Sequence, residues 1–349
     1  MRKAYLALAF VAALIVVHPL PAAPVASASA KIHRMDVVTR PITRFRINSD
    51  QTRFGALVFA GGLEMHATSD HFGALSGLAF TDDQTGLTAV ADTGFWLTAT
   101  LQRDDANRPV GLANVTMTEI TGPGGVPFAG KWLTDAEAIA VDGETVMVSF
   151  EREHRIARYA RGDGGLQWRE ETPPPVPTDR LGHNAGFEGI AIGPPGSALA
   201  GALIGVSENG LEGSADIVGF VQPATGPAFR FAVRRRGAYR VTDLAILPGG
   251  DLVLLERRFA LHTGLAMRLR RIDDDAVTSD ATVDGEVLLK ADMNHQIDNM
   301  EGLAITTDPD GVPRLTIVSD DNHALLQRNL LIEFRLVGPA VSPPPAADG

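Results

Sequence analysis

The residues of this chain best suited to chemistry are carboxylates that recur at one position of a repeated phrase. Glu301 opens the apolar run Glu301-Gly302-Leu303-Ala304-Ile305, a turn follows at Asp308-Pro309-Asp310-Gly311, and a second run, Leu315-Thr316-Ile317-Val318-Ser319, ends at Asp320. Short runs rich in β-branched residues on either side of a Pro/Asp/Gly turn read as a hairpin. In an antiparallel hairpin the first residue of one strand faces the last of the next, so Glu301 and Asp320 are expected side by side. The phrase occurs four more times upstream: Glu137 leads to Glu151, Glu188 to Glu208, Asp243 to Glu256, and Ser76, standing where the others carry an acid, to Asp92. An inner circle of Glu137, Glu188, Asp243 and Glu301 and an outer circle of Asp92, Glu151, Glu208, Glu256 and Asp320 should therefore meet at one end of the molecule. So many carboxylates cannot all stay ionised and unpaired; they need cations, basic side chains or protons.

Hard oxygen ligands suit calcium. Glu137, Glu188, Asp243, Glu301, Glu208 and Asp320 are the candidate ligands, with Asn184, Asn209, Asn299 and Asn322 as further oxygen donors. Basic residues follow the same strands. Arg152 comes after Glu151 and Arg257 and Arg258 after Glu256, while His154, His262 and His323 lie a few positions further along those loops. Arg152 and Arg257 are candidates to clamp an anionic group, and the three histidines are candidate general acids or bases. His71, His183 and His295 stand just before Ser76, Glu188 and Glu301 and so belong to loops on the same face. The plainer reading of these residues is structural: acids beside strand ends act as struts between loops, and single histidines as polar loop residues. Ser76 is a weak nucleophile candidate because no base is adjacent in sequence. G-x-S-x-G, H-E-x-x-H, P-loop and G-x-G-x-x-G signatures are all missing.

The elements that must hold these residues follow from the period. Starts at 76, 137, 188, 243 and 301 are 61, 51, 55 and 58 residues apart, and each interval holds two more strand candidates after its hairpin. Four-stranded repeats of roughly this length are propeller blades. The expected fold is all-β, a single propeller of five four-stranded blades, with a sixth, degenerate blade between Asp92 and Glu137 as the alternative. The last repeat has only one strand after its hairpin, at Leu330–Leu336, so the strand candidate at Phe54–Phe59 is expected to close the ring and remove the open edges. Gly77, Gly189 and Gly302 sit where inner strands pass close to their neighbours.

The chain has 349 residues and 45% hydrophobic content, enough for one large core or two ordinary ones, and the repeat favours one domain. Arg2 and Lys3 precede an apolar run from Ala4 to Val17, and Ala28-Ser29-Ala30 is a small-x-small cleavage site. Residues 1–30 thus read as a signal peptide, placing the protein in the periplasm or outside the cell. Residues 31–337 form the expected domain and 338–349 a disordered Pro/Ala-rich tail. Cysteine is absent, which excludes disulfides, thiolate nucleophiles and cysteine-ligated zinc. Without Arg2 and Lys3 the chain carries 29 basic and 42 acidic residues, net −13, a poor surface for nucleic acid or anionic lipid. The expected partner of a monomeric chain is a small-molecule substrate or ligand, with no membrane span once the signal is removed.

The segments Glu188-Gly189-Ile190-Ala191 to Ser207-Glu208-Asn209-Gly210, and Met300-Glu301-Gly302-Leu303-Ala304 to Ser319-Asp320-Asp321-Asn322, resemble the phytase-like domain family, described by an esterase-like activity. The resemblance spans roughly Phe54 to Leu336. It implies an exported bacterial β-propeller that hydrolyses phosphate or carboxylic esters, and it assigns no catalytic residue. The R-H-G-x-R-x-P signature of histidine acid phosphatases is absent, so the resemblance is not to phytases of that type. A metal-dependent esterase or phosphoesterase is the leading expectation and a non-catalytic propeller binding a ligand or envelope component the alternative.

Overall fold

Each repeat folds as read, because alternating short apolar runs with tight polar turns can bury both faces only by stacking as sheets. The computed structural model describes residues 30–338 apart from 82, 163–164 and 183–184. All of the expected signal segment except Ala30, all of the expected tail except Gly338, and His183 and Asn184 lie outside the described residues.

Five antiparallel sheets form five blades. The first comprises Leu75–Phe80, Gly86–Ala91, Phe95–Arg103 and Pro109–Glu119, with Ile32–Arg34 added at its outer edge. The second comprises Ala136–Asp142, Thr145–Phe150, Arg155–Gly162 and Gly165–Thr172. The third runs Gly189–Ile192, Leu203–Val206, Ile217–Gln222 and Phe229–Val233, extended by the short parallel strand Thr282–Val283. The fourth runs Arg240–Ile246, Leu252–Ala260, Gly264–Ile272 and Glu286–Asp292. The fifth takes Asn299–Thr307, Pro313–Asp320 and Asn329–Leu336 from the C-terminal end and Leu57–His66 from the N-terminal end, with Val38–Ile42 outermost.

The ring therefore closes through an N-terminal strand, displaced from the expected one. Leu57–His66 pairs with Asn329–Leu336, from Leu57 opposite Leu336 to Met65 opposite Asn329. Arg53–Phe54 folds back on it, because Gly55 takes a left-handed φ of 63° and turns the chain. The alternative of a sixth blade is overturned: Phe95–Arg103 and Pro109–Glu119 belong to the first blade, and only a 3-10 turn and one helical turn, Lys131–Thr134, separate them from the second.

Packing between blades supplies the core. Five hydrophobic clusters occupy the five blade interfaces, such as Val90, Trp96, Val148 and Tyr159 between the first two blades. At the seam of the fourth and fifth blades Phe45 stacks edge-on against Phe54 and Phe334, at 5.2 and 4.8 Å between ring centroids. Charged struts are buried among these layers. Glu333, fully buried in the fifth blade, receives both Arg103 guanidinium nitrogens at 2.7 Å from the first blade and Arg314 at 2.8 Å from its own.

Inner strands of successive blades lie against one another around the axis. A Cβ on Gly189 would stand 2.4 Å from the Leu244 backbone nitrogen, so only glycine fits there. Among the described residues no helix is long and apolar enough to cross a membrane.

Candidate functional site: an acidic cleft at one mouth of the channel

The inner strands deliver their side chains to the cleft through a shared irregularity. In the first, second, fourth and fifth blades the ladder between inner and second strand skips one residue, and the skipped residues are Ser76, Glu137, Thr242 and Glu301. Each is a β-bulge, which redirects a side chain without breaking the strand. In the third blade Glu188 stands immediately before the first paired residue, Gly189. All five line one cleft of about 340 Å³, together with Asp92, Glu151, Glu208 and Asp320 from the ends of second strands. Asn299, Asn322, Arg240 and Arg257 complete the lining.

Seven carboxylates thus face one opening, against two arginines. Arg257 Nη2 lies 3.1 Å from Glu301 Oε1 and Arg240 Nη1 lies 3.0 Å from Glu208 Oε1. Asn299 Nδ2 donates to Asp320 Oδ2 at 3.2 Å, and the Asn322 backbone N–H donates to its Oδ1 at 2.6 Å. Lys131 reaches in from the short helix to Asp92 at 2.6 Å and to Asp135 at 3.4 Å. Glu137 and Glu188 have no ion-pair partner among the described residues. Oxygens of Asp135, Glu137 and Glu151 all lie within 4.8 Å of one another.

Crowding without enough cations changes the acidity of the site. Burial, followed by the charges of Asp135, Glu151 and Glu301, holds Glu137 well above the usual carboxylate range. Glu188 is raised for the same reason, by burial and then by Glu137 and Glu208. Burial lifts Glu301 to about 8 despite Arg257, Glu151 to about 7 with Asp135 adding to it, and Asp320 to about 6 despite the Asn322 N–H. Each of these shifts favours the protonated acid over a carboxylate that lacks a compensating positive charge.

Of the expected ligands, the structure brings Glu137, Glu188, Glu208, Glu301 and Asp320 together and leaves Asp243 out. The repeat of the fourth blade is shifted by one: Thr242-Asp243-Leu244 aligns with Glu301-Gly302-Leu303, so Thr242 takes the carboxylate's place. Asp243 occupies the glycine position, where its carboxylate accepts the backbone N–H groups of Leu244 at 2.7 Å and Leu303 at 2.5 Å and ties two inner strands together. Glu256 is also elsewhere. The second strand of that blade runs on to Ala260, so Glu256 sits mid-strand, fully buried between Arg268 and Arg270.

Of the expected catalytic residues only Arg257 lines the cleft. Arg152 donates to Asp135 at 2.5 Å and lies over the Trp132 ring. His154 is buried within its turn, and His262 and His323 are exposed on loops. His71 stacks on His33 at 4.0 Å, and His295 packs on Phe45 and pairs with Asp292. Sequence reasoning missed Arg240, Thr242, Lys131 and Asp135. Aligning the repeats on Leu78, Ile139, Ile190, Leu244 and Leu303 would have found Thr242, since each cleft residue stands two positions before that apolar one.

Fold and cleft together define a five-bladed propeller with a carboxylate-lined channel mouth. Residues 70–323 match the family described as phytase-like, with esterase-like activity of phytase, and the chain belongs to that family. No curated protein sequence matches it. Among solved structures the chain is similar to a Myxococcus xanthus glutaminyl cyclase, at 14% identity over 88% of this chain and 100% of that one, with a TM-score of 0.41. It is also similar to a PQQ-bound aldose sugar dehydrogenase from Streptomyces coelicolor, at 14% identity over 86% and 99% of the two chains, TM-score 0.41. Likenesses this distant carry no inference about activity.

Proposed function

We propose that the cleft is a calcium-dependent hydrolytic site for phosphate or carboxylic esters in an exported protein. The observation that carries this reading is the pair Glu137 and Glu188, cleft-facing carboxylates with no ion-pair partner among the described residues, in a cleft of seven acids. The donor set is entirely oxygen, and Glu137 and Glu151 offer oxygens within 4.8 Å of each other, beside an Asp135 already paired with Arg152 and Lys131, which fits a hard divalent cation. Glu137, Glu151, Glu188, Glu301 and Asp320 would hold it. When bound, calcium supplies Lewis-acid polarisation of a phosphoryl or carbonyl oxygen.

The remaining roles belong to the protein's own residues. Each guanidinium has five N–H donors, so Arg257 and Arg240 can keep Glu301 and Glu208 in place and still offer N–H groups to an anionic substrate. Ser76 brings a hydroxyl to the same mouth, and Asn299 and Asn322 fix Asp320. Left-handed φ values at Arg152 (64°), His154 (44°), Asn322 (47°) and His323 (47°) mark the loops after the second strands as strained, a feature concentrated at functional sites.

A second reading, a propeller that binds its ligand without turning it over, is favoured by one observation: no histidine lines the cleft among the described residues. The test is thermal unfolding of chelator-stripped protein titrated with calcium and with magnesium, followed by hydrolysis of chromogenic phosphate and carboxylic esters. A midpoint raised by calcium, with calcium-dependent turnover, is expected. A midpoint that ignores calcium overturns the metal site, and calcium binding without turnover of either ester selects the binding reading.

A further inference from the structure

A second feature lies outside the cleft, where the N-terminal strands meet the fifth blade. A hollow of about 390 Å³ is lined by Arg40, Arg44 and Arg328, by Ile42 and Ile47, and by one acid, Glu64. Three arginines converging on one hollow are a local exception in a chain of net charge −11, whose surface otherwise repels anionic lipid. Arg40 lies on the exposed outermost strand and has no side-chain partner among the described residues. Its neighbour across the ladder, Glu64, is taken by His66 at 2.7 Å through one oxygen and by Arg328 at 3.9 Å through the other. Arg44 pairs with Asp50, but at 59% and 87% exposure that pair is solvated and contributes little, so Arg44 is available to a better anion. Arg328 is held in place by Gln296 and the Ile297 carbonyl, both at 2.9 Å, with Asp298 at 3.5 Å and Glu64 at 3.9 Å, so it shapes the hollow while Arg40 and Arg44 supply its free positive charge.

On the loop that runs to Arg328 the chain exposes two apolar side chains. Leu325 and Leu326 are 99% and 92% exposed and precede Arg328 by three and two residues. At 3.8 Å per residue their Cα atoms lie within roughly 11 Å of that of Arg328. Val38, on the same edge strand as Arg40, is also exposed. Clustered exposed apolar residues on a soluble surface mark a place where something docks.

We propose that Arg40, Arg44 and Arg328, with Leu325 and Leu326, form a docking surface for the anionic headgroups of a lipid bilayer. A headgroup phosphate enters the arginine hollow and the two leucines dip into the headgroup–acyl boundary, the pairing of cations and protruding apolar residues that peripheral membrane surfaces use. A soluble anion would account for the arginines and leave the leucines unexplained. A second copy of the chain would cover the leucines and would have to bring an acidic patch to the arginines. The inference is independent of the hydrolase reading.

The test is sedimentation of the full chain with vesicles of phosphatidylcholine, alone or mixed with phosphatidylglycerol, against two variants, Arg40→Gln/Arg44→Gln and Leu325→Ser/Leu326→Ser. Both variants keep the apolar N-terminal stretch, so differences between them and the parent report this surface. All four side chains are exposed or at the rim, and unchanged melting midpoints establish that the variants fold. Binding to the mixed vesicles, weak binding to phosphatidylcholine alone, and a loss of about thirty-fold on removing two arginines are expected. Removing both leucines should cost about tenfold or more. Equal partitioning of parent and variants overturns the proposal. So does protection by inorganic phosphate without vesicle binding, which assigns a soluble anion. A concentration-dependent dimer abolished by Leu325→Ser/Leu326→Ser, again without vesicle binding, assigns a second copy and overturns it too.

Discussion

Replacing Glu301 by Gln should stabilise the protein when calcium is absent and weaken its response when calcium is present. Glu301 is lifted from 4.5 to about 8 by burial and its acidic neighbours. Between those values the folded chain holds a proton that the unfolded chain has released, so the group's stabilising contribution is complete below about pH 4.5 and is lost as pH rises through 8. At pH 8 the unfolded carboxyl is almost wholly ionised and the folded one about half, which amounts to about 4 kcal/mol lost relative to acid pH. Gln keeps the shape of the protonated acid and cannot ionise. Arg257 loses its partner, and for a pair partly open to water that costs about 1 kcal/mol at most. The net is about 3 kcal/mol in favour of Glu301→Gln. With an unfolding entropy of ~2.1 cal/mol/K per residue over about 300 ordered residues, the midpoint in chelator at pH 8 should rise by about 5 °C. At pH 5 the two proteins should melt together. Saturating calcium at a hundredfold excess over Kd stabilises the parent by roughly 2.7 kcal/mol, and the variant, with one ligand removed, should gain less. Differential scanning calorimetry in chelator and in calcium measures all of this. If Glu301→Gln instead lowers the midpoint in chelator at pH 8, Glu301 is an ionised strut for Arg257 and the crowding argument is wrong.

Three further predictions test other parts of the structure. The chelated parent should melt lower at pH 8 than at pH 5, because Glu301, Glu151 and Asp320, raised to about 8, 7 and 6, each lose their stabilising proton over that interval; calcium should flatten the profile, and a flat profile without calcium would contradict the raised values. Glu333→Ala leaves the guanidinium groups of Arg103 and Arg314 without the carboxylate that joins the first and fifth blades, and should cost about 3–5 kcal/mol in urea unfolding; a loss below about 1 kcal/mol would show that water repairs the site. Gly189→Ala pushes a methyl group to 2.4 Å from the Leu244 backbone nitrogen, so the inner strands must part at a cost of about 1–3 kcal/mol, and full stability of the variant would refute the close packing at the axis.

How far the sequence revealed this site depended on which physical rule connected residue to position. Ladder geometry did so directly: an acid at the start of one strand and another at the end of the next must meet, which placed Glu137 with Glu151, Glu188 with Glu208, and Glu301 with Asp320 in one cleft. The same rule misplaced Asp243, because a strand's faces alternate and an error of one residue moves a side chain to the opposite face. The bulges at Ser76, Glu137, Thr242 and Glu301 make such an error easy, since the extra residue has no signature of its own in composition or hydropathy. Glu256 failed for a different reason. Its strand continues through Arg257, Arg258 and Phe259 to a turn at Ala260–Gly264, so the acid that looks terminal is central, and Arg268 and Arg270 on the next strand bury it. The histidines failed for a third. Proximity in sequence to a strand end fixes the face on which a loop emerges, whereas the direction of the loop depends on turn geometry and on what it packs against, and here His71 turns to His33 and His295 to Phe45. The five-blade ring was the most legible part because it needed only the period of the apolar runs and one unpaired strand at each end of the chain. Positions set by hydrophobic periodicity can thus be read from this sequence, whereas those set by one inserted residue or by a loop's path required the structure.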